Sequence, residues 1–399
     1  MSDNGRIVIV DASPSNSHDF FKRLAQLCEA DYVVAESAGL GMFVPAYILR
    51  SDAKTTKPIK VPVSMNCRDV FVTQSGEGDI VHRIHELEQT ISAVLTYSPR
   101  RVALVMPYSL SGTDIARNSQ GHSKPLDTLV RRLKNNFEID RVFMTGLHNE
   151  GILAAFNSVG DSAPGLPVSY VRFEPLVAYY ALRFASENVP LAIAGPDLKM
   201  MERLQEIGHD IATARQNVQY SIVGCDLTRE SDGSVTVRSV LGEVKSRRVI
   251  LYDDEARSLG TVRAVLERFK AEGAESAYVI ISHCRLNDFA KDNLAAICDD
   301  SFVKEVVFGD AIPLPSFASA YAKVRPISLA EPFAEAVRVY HNYEKENVRL
   351  SNCKRIVEIY SGSPPSERHI SINRQVFDSS SKPVQATQAP ASAPIITPS

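Results

Sequence analysis

The segment Arg248–Thr261, RVILYDDEARSLGT, holds the residues best suited to chemistry. A short apolar run delivers a strand, and Asp253 and Asp254 stand at its C-terminal end. A polar loop with Ser258, Gly260 and Thr261 then opens the helix VRAVLERFKAEG. Paired carboxylates on a strand end accept hydrogen bonds from the two hydroxyls of a ribose. Backbone N–H groups and hydroxyls at a helix N-terminus hold a phosphate, because that end carries unpaired donors and partial positive charge. Ligands of open parallel sheets lie beyond the strand C-termini, where this loop falls. The plainer reading is a strand, a turn and a helix with a capping acid, which any α/β protein contains.

The elements around this loop follow one pattern. Short β-branched runs alternate with longer amphipathic stretches. Strands are expected at Arg6–Val10, Asp69–Thr73, Arg101–Met106 and Arg141–Thr145, with helices over Asp19–Cys28, Ile80–Tyr97 and near Leu126–Asn135. After about residue 165 the alternation resumes, with strands expected at Leu191–Ala194, Tyr220–Gly224, Arg248–Tyr252 and Ala277–Ile281. Strands joined by crossover helices make a parallel sheet covered on both faces. The turn formers of Ser162–Pro167 mark the expected domain boundary. This gives an α/β chain of two domains, 1–165 and 166–345, each a mainly parallel sheet flanked by helices. An extension over 346–378 follows. The Ser/Pro/Ala/Thr-rich tail 379–399 is expected to be disordered, because it cannot bury enough apolar area to offset chain entropy.

Bulk composition narrows the function classes. The chain has 399 residues, 44% of them hydrophobic and 23% charged, as in a globular protein large enough for two cores. A net charge of −3 gives no general attraction to nucleic acid or anionic membrane. No apolar run approaches the roughly 20 residues that span a bilayer. The opening MSDNGRIVIVDAS lacks a signal peptide's basic and apolar regions, so a cytoplasmic location is expected. Six cysteines are scattered without a CxxC pair, which favours reduced, mostly buried thiols over zinc or disulfides.

The Arg248–Thr261 segment resembles the PRPP-binding loop of type I phosphoribosyltransferases and of phosphoribosyl pyrophosphate (PRPP) synthetases. Its positions match except that Arg257 replaces a usually acidic residue. The likeness to the synthetases extends from about residue 6 to about residue 345. It takes in Val70–Gly78, Val102–Tyr108, Phe143–Phe156, Gly195–Asp197, Leu241–Ser246, Ile281–His283, Ala311–Pro313 and Leu329–Asn342. The resemblance implies phosphoribosyltransferase-like domains, with Asp253, Asp254, Ser258, Gly260 and Thr261 binding ribose 5-phosphate or PRPP. It also implies Mg²⁺ at His148 and Asp197, with ATP as the second substrate. Arg229, with His148, is the candidate catalytic residue. Oligomers are implied too, of this chain alone or with an active PRPP synthetase.

Departures from the family fall on the ATP side. The lysine of the family's flexible loop aligns with Leu227, two residues before Arg229. Ser51–Val63 replaces the nucleotide loop, and the Arg-Gln after the Pro-Tyr turn is missing. The acid before the cation histidine is Gly146, and Leu198-Lys199-Met200 replaces a segment containing a glycine pair. Losing one phosphate donor commonly lowers turnover by roughly 10²–10³. Three readings result: a catalytically weak or inactive regulatory or scaffold subunit, an active ribose-phosphate diphosphokinase for nucleotide biosynthesis, or a module or transferase for another phosphorylated ligand. Arg117, Lys124, Arg229, Lys245 and Arg247 are the cations open to the second reading.

Overall fold

The computed structural model describes residues 7–13, 19–37, 43–51, 58–61, 64–110, 125–147, 151–157, 165–185, 189–229, 235–346 and 377–378. His148, Arg117, Lys124 and the tail from 379 lie outside them, as does most of the 346–378 extension. The chain opens with β1 (Ile7–Asp11), α1 (Asp19–Leu27), β2 (Asp31–Ser37), β3 (Phe43–Ser51), β4 (Pro58–Val61) and β5 (Asp69–Thr73). Next come α2 (Ile80–Leu95), β6 (Arg101–Val105), α3 (Pro125–Arg131), β7 (Arg141–Met144), α4 (Gly151–Asn157), β8 (Val168–Tyr170) and α5 (Glu174–Leu182). The second series is β9 (Leu191–Ala194), α6 (Met201–Ala214), β10 (Tyr220–Arg229), β11 (Val235–Leu241), β12 (Arg248–Ala256) and α7 (Gly260–Ala271). It closes with β13 (Ser276–Cys284), α8 (Ala290–Asp299), β14 (Val303–Gly309), α9 (Ser316–Ser319), β15 (Val324–Ile327), α10 (Ala330–Glu346) and β16 (Phe377–Asp378).

These strands make two mainly parallel sheets. The first has the order β16-β8-β7-β6-β5-β1-β2-β3-β4, and the second β11-β10-β9-β12-β13-β14-β15. Antiparallel pairing is confined to the edges, at β2–β3, β3–β4, β16–β8 and β10–β11. The runs IVIVD, DVFVT and LAIA are buried along their whole length. That is the signature of parallel strands covered on both faces. Strand β8 pairs with β7 in the first sheet, and the second sheet begins at Leu191.

The helices fill three apolar layers. Helix α2 starts where the Asp79 carboxylate accepts from Val81 N, and buries Leu87, Ile91 and Val94 at helical spacing. It belongs to an outer layer on the first sheet with Leu126, Leu129 and Phe156. A matching outer layer on the second sheet takes Val262, Val265 and Phe269 of α7 with Leu294 and Ile297 of α8. Between the sheets lies a shared core that joins Ile9 and Phe71 to Ile193, Ile250 and Ile280 through residues of α1, α5, α6 and α10. Helix α10 crosses to the first half: Phe333 meets Phe20 edge-on, and Tyr340 lies against Phe71 and Phe143. His341 Nδ1 sits 2.6 Å from Asp69, which also accepts from Arg100 and Arg101. These three partners hold the buried Asp69 carboxyl far below its ordinary range despite burial, which works the other way. Of the described cysteines, Cys28, Cys225, Cys284 and Cys298 are buried and Cys67 is exposed, all as free thiols.

Candidate functional site

In the second sheet β9 pairs with β10 on one side and β12 on the other, so strand order reverses between β9 and β12. Open α/β sheets bind ligands at such a reversal, beyond the strand C-termini. Two segments meet there. Strand β12 outruns β9 after Leu251, carrying Asp253 and Asp254 beyond it, and Gly195–Asp197 leaves the end of β9. Asp253 is pushed well above the ordinary carboxylate range by desolvation first, and then by Asp254 and Asp197. Three predicted acids therefore share one field. Asp254 is buried, and its Oδ2 lies 3.5 Å from Arg203 Nη1.

The loop after the acids is built as a cradle. Leu259 takes a left-handed conformation (φ 61°) and turns the chain into α7, whose first residue is Gly260. Gly260 N donates to Ser258 Oγ at 3.4 Å, and Asn293 Nδ2 donates to the Ser258 carbonyl at 2.9 Å. The segment after β13 straps the loop down, with Arg285 N on the Ala256 carbonyl and Asn287 N on the Arg257 carbonyl. Ser258, Gly260 and Thr261 thus sit together at the N-terminus of a twelve-residue helix. The exposed Arg257, which stands where the resembled loop usually has an acid, is paired with Glu255 at 2.5 Å. Glu255 also accepts from the Tyr108 hydroxyl at 3.3 Å, across the two halves.

The positions around the implied cation are filled by packing. Gly146 has φ 52°, and a Cβ there would stand 2.6 Å from His283 Nε2 and 2.9 Å from Ser282 Cβ. The side chain of an acid has no room. His283 is buried, with Nε2 at 3.0 Å from the Thr145 carbonyl and Nδ1 without a hydrogen-bond partner. Desolvation lowers its pKa, so it is neutral and donates through Nε2. Asp197 spends its Oδ1 on the Lys199 N–H at 2.8 Å. Where the family carries glycines, Met200 lies against Gly195, while Leu198 and Met201 lie against Gly224. Of the two residues implied to hold magnesium, His148 lies outside the described residues, and Asp197 caps the short turn Leu198–Met200 with one carboxylate oxygen.

Leu227 lies within β10, paired with Val237 of β11 and packed on the outer core of the second sheet. Arg229 is exposed at the end of that strand, well beyond the β9 pairing that ends at Val223. The described structure therefore brings Asp253, Asp254, Asp197, Ser258, Gly260 and Thr261 to one strand-end region and leaves Arg229 on an outer hairpin. Sequence reasoning missed Arg203, Glu255, Tyr108 and Asn293. Arg203 stands six residues after Asp197, on the first turn of α6, with no local motif to flag it. Its role is visible only once the two sheets are packed.

Comparison with known proteins agrees with this architecture. Residues 229–349 match the family model described as the phosphoribosyl synthetase-associated domain. The ribose-phosphate pyrophosphokinase of Caulobacter vibrioides is 30% identical over 287 residues, covering 71% of this chain and 86% of the relative. Ribose-phosphate pyrophosphokinase 2 of Schizosaccharomyces pombe is 24% identical over 324 residues, 80% of this chain and 92% of its own length. The crystal structure of phosphoribosylpyrophosphate synthetase from Mycobacterium smegmatis superposes with a TM-score of 0.63 at 16% identity, over 85% of this chain and 99% of that one, a likeness of fold. With two mainly parallel sheets and relatives that span most of its length, the chain belongs to the ribose-phosphate pyrophosphokinase (PRPP synthetase) family.

Proposed function

We propose that this chain is a catalytically weak or inactive member of its family that binds ribose 5-phosphate or PRPP and serves as a regulatory or scaffold subunit. The partner is an oligomer of its own copies or of an active PRPP synthetase. What supports the reading is one contrast. The cradle of residues 253–261 has its acids and its helix N-terminus in register, while position 146 is closed by His283 and position 227 is a packed leucine. In this reading Asp253 and Asp254 take the ribose hydroxyls, and Ser258, Gly260 and Thr261 take the 5-phosphate. The raised Asp253 carboxyl donates to a hydroxyl when protonated, and an ionised neighbour accepts. No step is assigned to magnesium. Phosphoryl transfer depends on positioned cations around the migrating group, and an arginine-finger contact alone is worth 10³–10⁵ in rate.

The test is ³¹P NMR of the purified protein with Mg-ATP and ribose 5-phosphate, followed by calorimetric titration with ribose 5-phosphate alone. The expected result is binding without AMP or PRPP, with the affinity lowered roughly tenfold or more by Asp254→Asn, as for loss of a charged hydrogen bond. AMP and PRPP appearing together, and lost in Asp254→Asn, would overturn inactivity and favour a relocated active site. Binding of neither compound, with stabilisation by a different phosphorylated one, would assign the cradle to another ligand.

A further inference from the structure

Arg203 occupies a position that the reading above does not use. It projects from the first turn of α6 and is about one-fifth exposed. One guanidinium nitrogen, Nη2, donates to the Leu147 carbonyl in the first half of the molecule. The other, Nη1, lies 3.5 Å from Asp254 Oδ2 in the second half. That separation is within ion-pair reach but too long for a formed N–H···O bond, and Nη1 is buried with no hydrogen-bond partner. Tyr170, Tyr252 and Glu174 also face the guanidinium electrostatically. Glu174 is buried, its Oε2 lacks a hydrogen bond, and Arg172 Nε stands 3.9 Å from it. A lysine has no planar fork to span the two contacts.

Two further contacts tie the same places together. His283, two residues beyond the position paired with Asp253 on β13, meets the Thr145 carbonyl. Gly146 packs against His283 and Ser282. The segment 145–147 is therefore held by β13 on one side and by Arg203 on the other. Among the described residues, Arg203 connects it to a carboxylate of the proposed ribose cradle.

Resting on the ribose-phosphate reading, we infer that Arg203 is a positioning residue for ribose recognition, holding the Asp254 carboxylate by ion pairing beside the 145–147 segment so that the hydroxyl end of the cradle keeps its place. It acts through Asp254 and not on the 5-phosphate. Its effect therefore depends on which part of the ligand is present.

The experiment compares wild type, Arg203→Met and Arg203→Lys by calorimetric titration with ribose 5-phosphate and with inorganic phosphate. Methionine should weaken ribose 5-phosphate roughly tenfold and leave inorganic phosphate within about twofold, with lysine restoring part of the loss, since one charge-assisted contact is worth about that much. Equal loss for both ligands, or no loss, would overturn the assignment. Wild type failing to prefer ribose 5-phosphate over phosphate would instead defeat the ribose reading itself. A second measurement needs no variant. Amide exchange of the wild-type protein should slow at 145–147 as well as in β12 and the α7 N-terminus when ribose 5-phosphate is added. Protection confined to β12 and α7 would sink the inference even if the methionine variant does not fold.

Discussion

At the scale of single residues, the site sets a paired-acid loop and helix start beside closely packed geometry. Asp253 and Asp254 stood out less by spacing, which an ordinary strand, turn and capped helix also gives, than by the likeness of the whole segment to a PRPP loop. Gly146 was legible only as a missing acid. The structure adds that its left-handed backbone and the His283 ring leave a side chain no place. Gly146→Asp should therefore lower stability by about 2–4 kcal/mol, the sum of left-handed strain and overpacking, without producing AMP from ATP. Denaturant titration alongside ³¹P NMR checks both parts. Activity gained at unchanged stability would mean that the ring yields and the site was merely short of one acid.

At the scale of elements, periodicity served well where the strand or helix is amphipathic or wholly buried, as in β1, β5, α2 and β12. It gave no warning of β11, whose edge position and alternating exposure place Leu227 in a hairpin instead of an open loop. The N-terminus of α10 shows a second feature hidden from sequence. Asp310, at the end of β14, accepts from Leu329 N at 2.8 Å just before the helix begins. Burial pushes its carboxyl up to about 6, opposed by hydrogen bonds from Leu329 and Ser328. A carboxyl raised in the folded state favours folding below its unfolded pKa near 3.8 and loses that contribution as pH rises through about 6. Asp310→Asn keeps a carbonyl acceptor and does not titrate. Its stability relative to wild type should rise between pH 4 and pH 7.5 by on the order of 3 kcal/mol, following 1.36 kcal/mol per pKa unit. Denaturation midpoints of both proteins at the two pH values test this, and a constant difference would rule it out.

At the scale of the whole molecule, the alternation of strands and helices foretold two parallel sheets but not what joins them. The joining residues are far apart in sequence: His341 with Asp69, Arg23 with Glu331, Tyr108 with Glu255, and Arg285 with the Gly76 carbonyl. No local pattern announces such pairs, since each half looks complete by itself. His341→Ala removes one partner of a buried carboxylate and should cost about 1–3 kcal/mol. Because the shared core runs through both sheets, that loss should appear as a single shifted unfolding transition, read by near-ultraviolet dichroism and by amide exchange in β5 and β12 together. Independent melting of the two sheets would contradict it. Helix α10 also bears on how the protein is made. Its Phe333 and Tyr340 cover Phe20 of α1 and Phe71 and Phe143 of the first sheet, so that part of the inner face stays uncovered until residues 330–346 have cleared the ribosome. For most of its synthesis the nascent chain carries that apolar face uncovered, which makes the growing polypeptide a natural client for chaperones that shield hydrophobic surface.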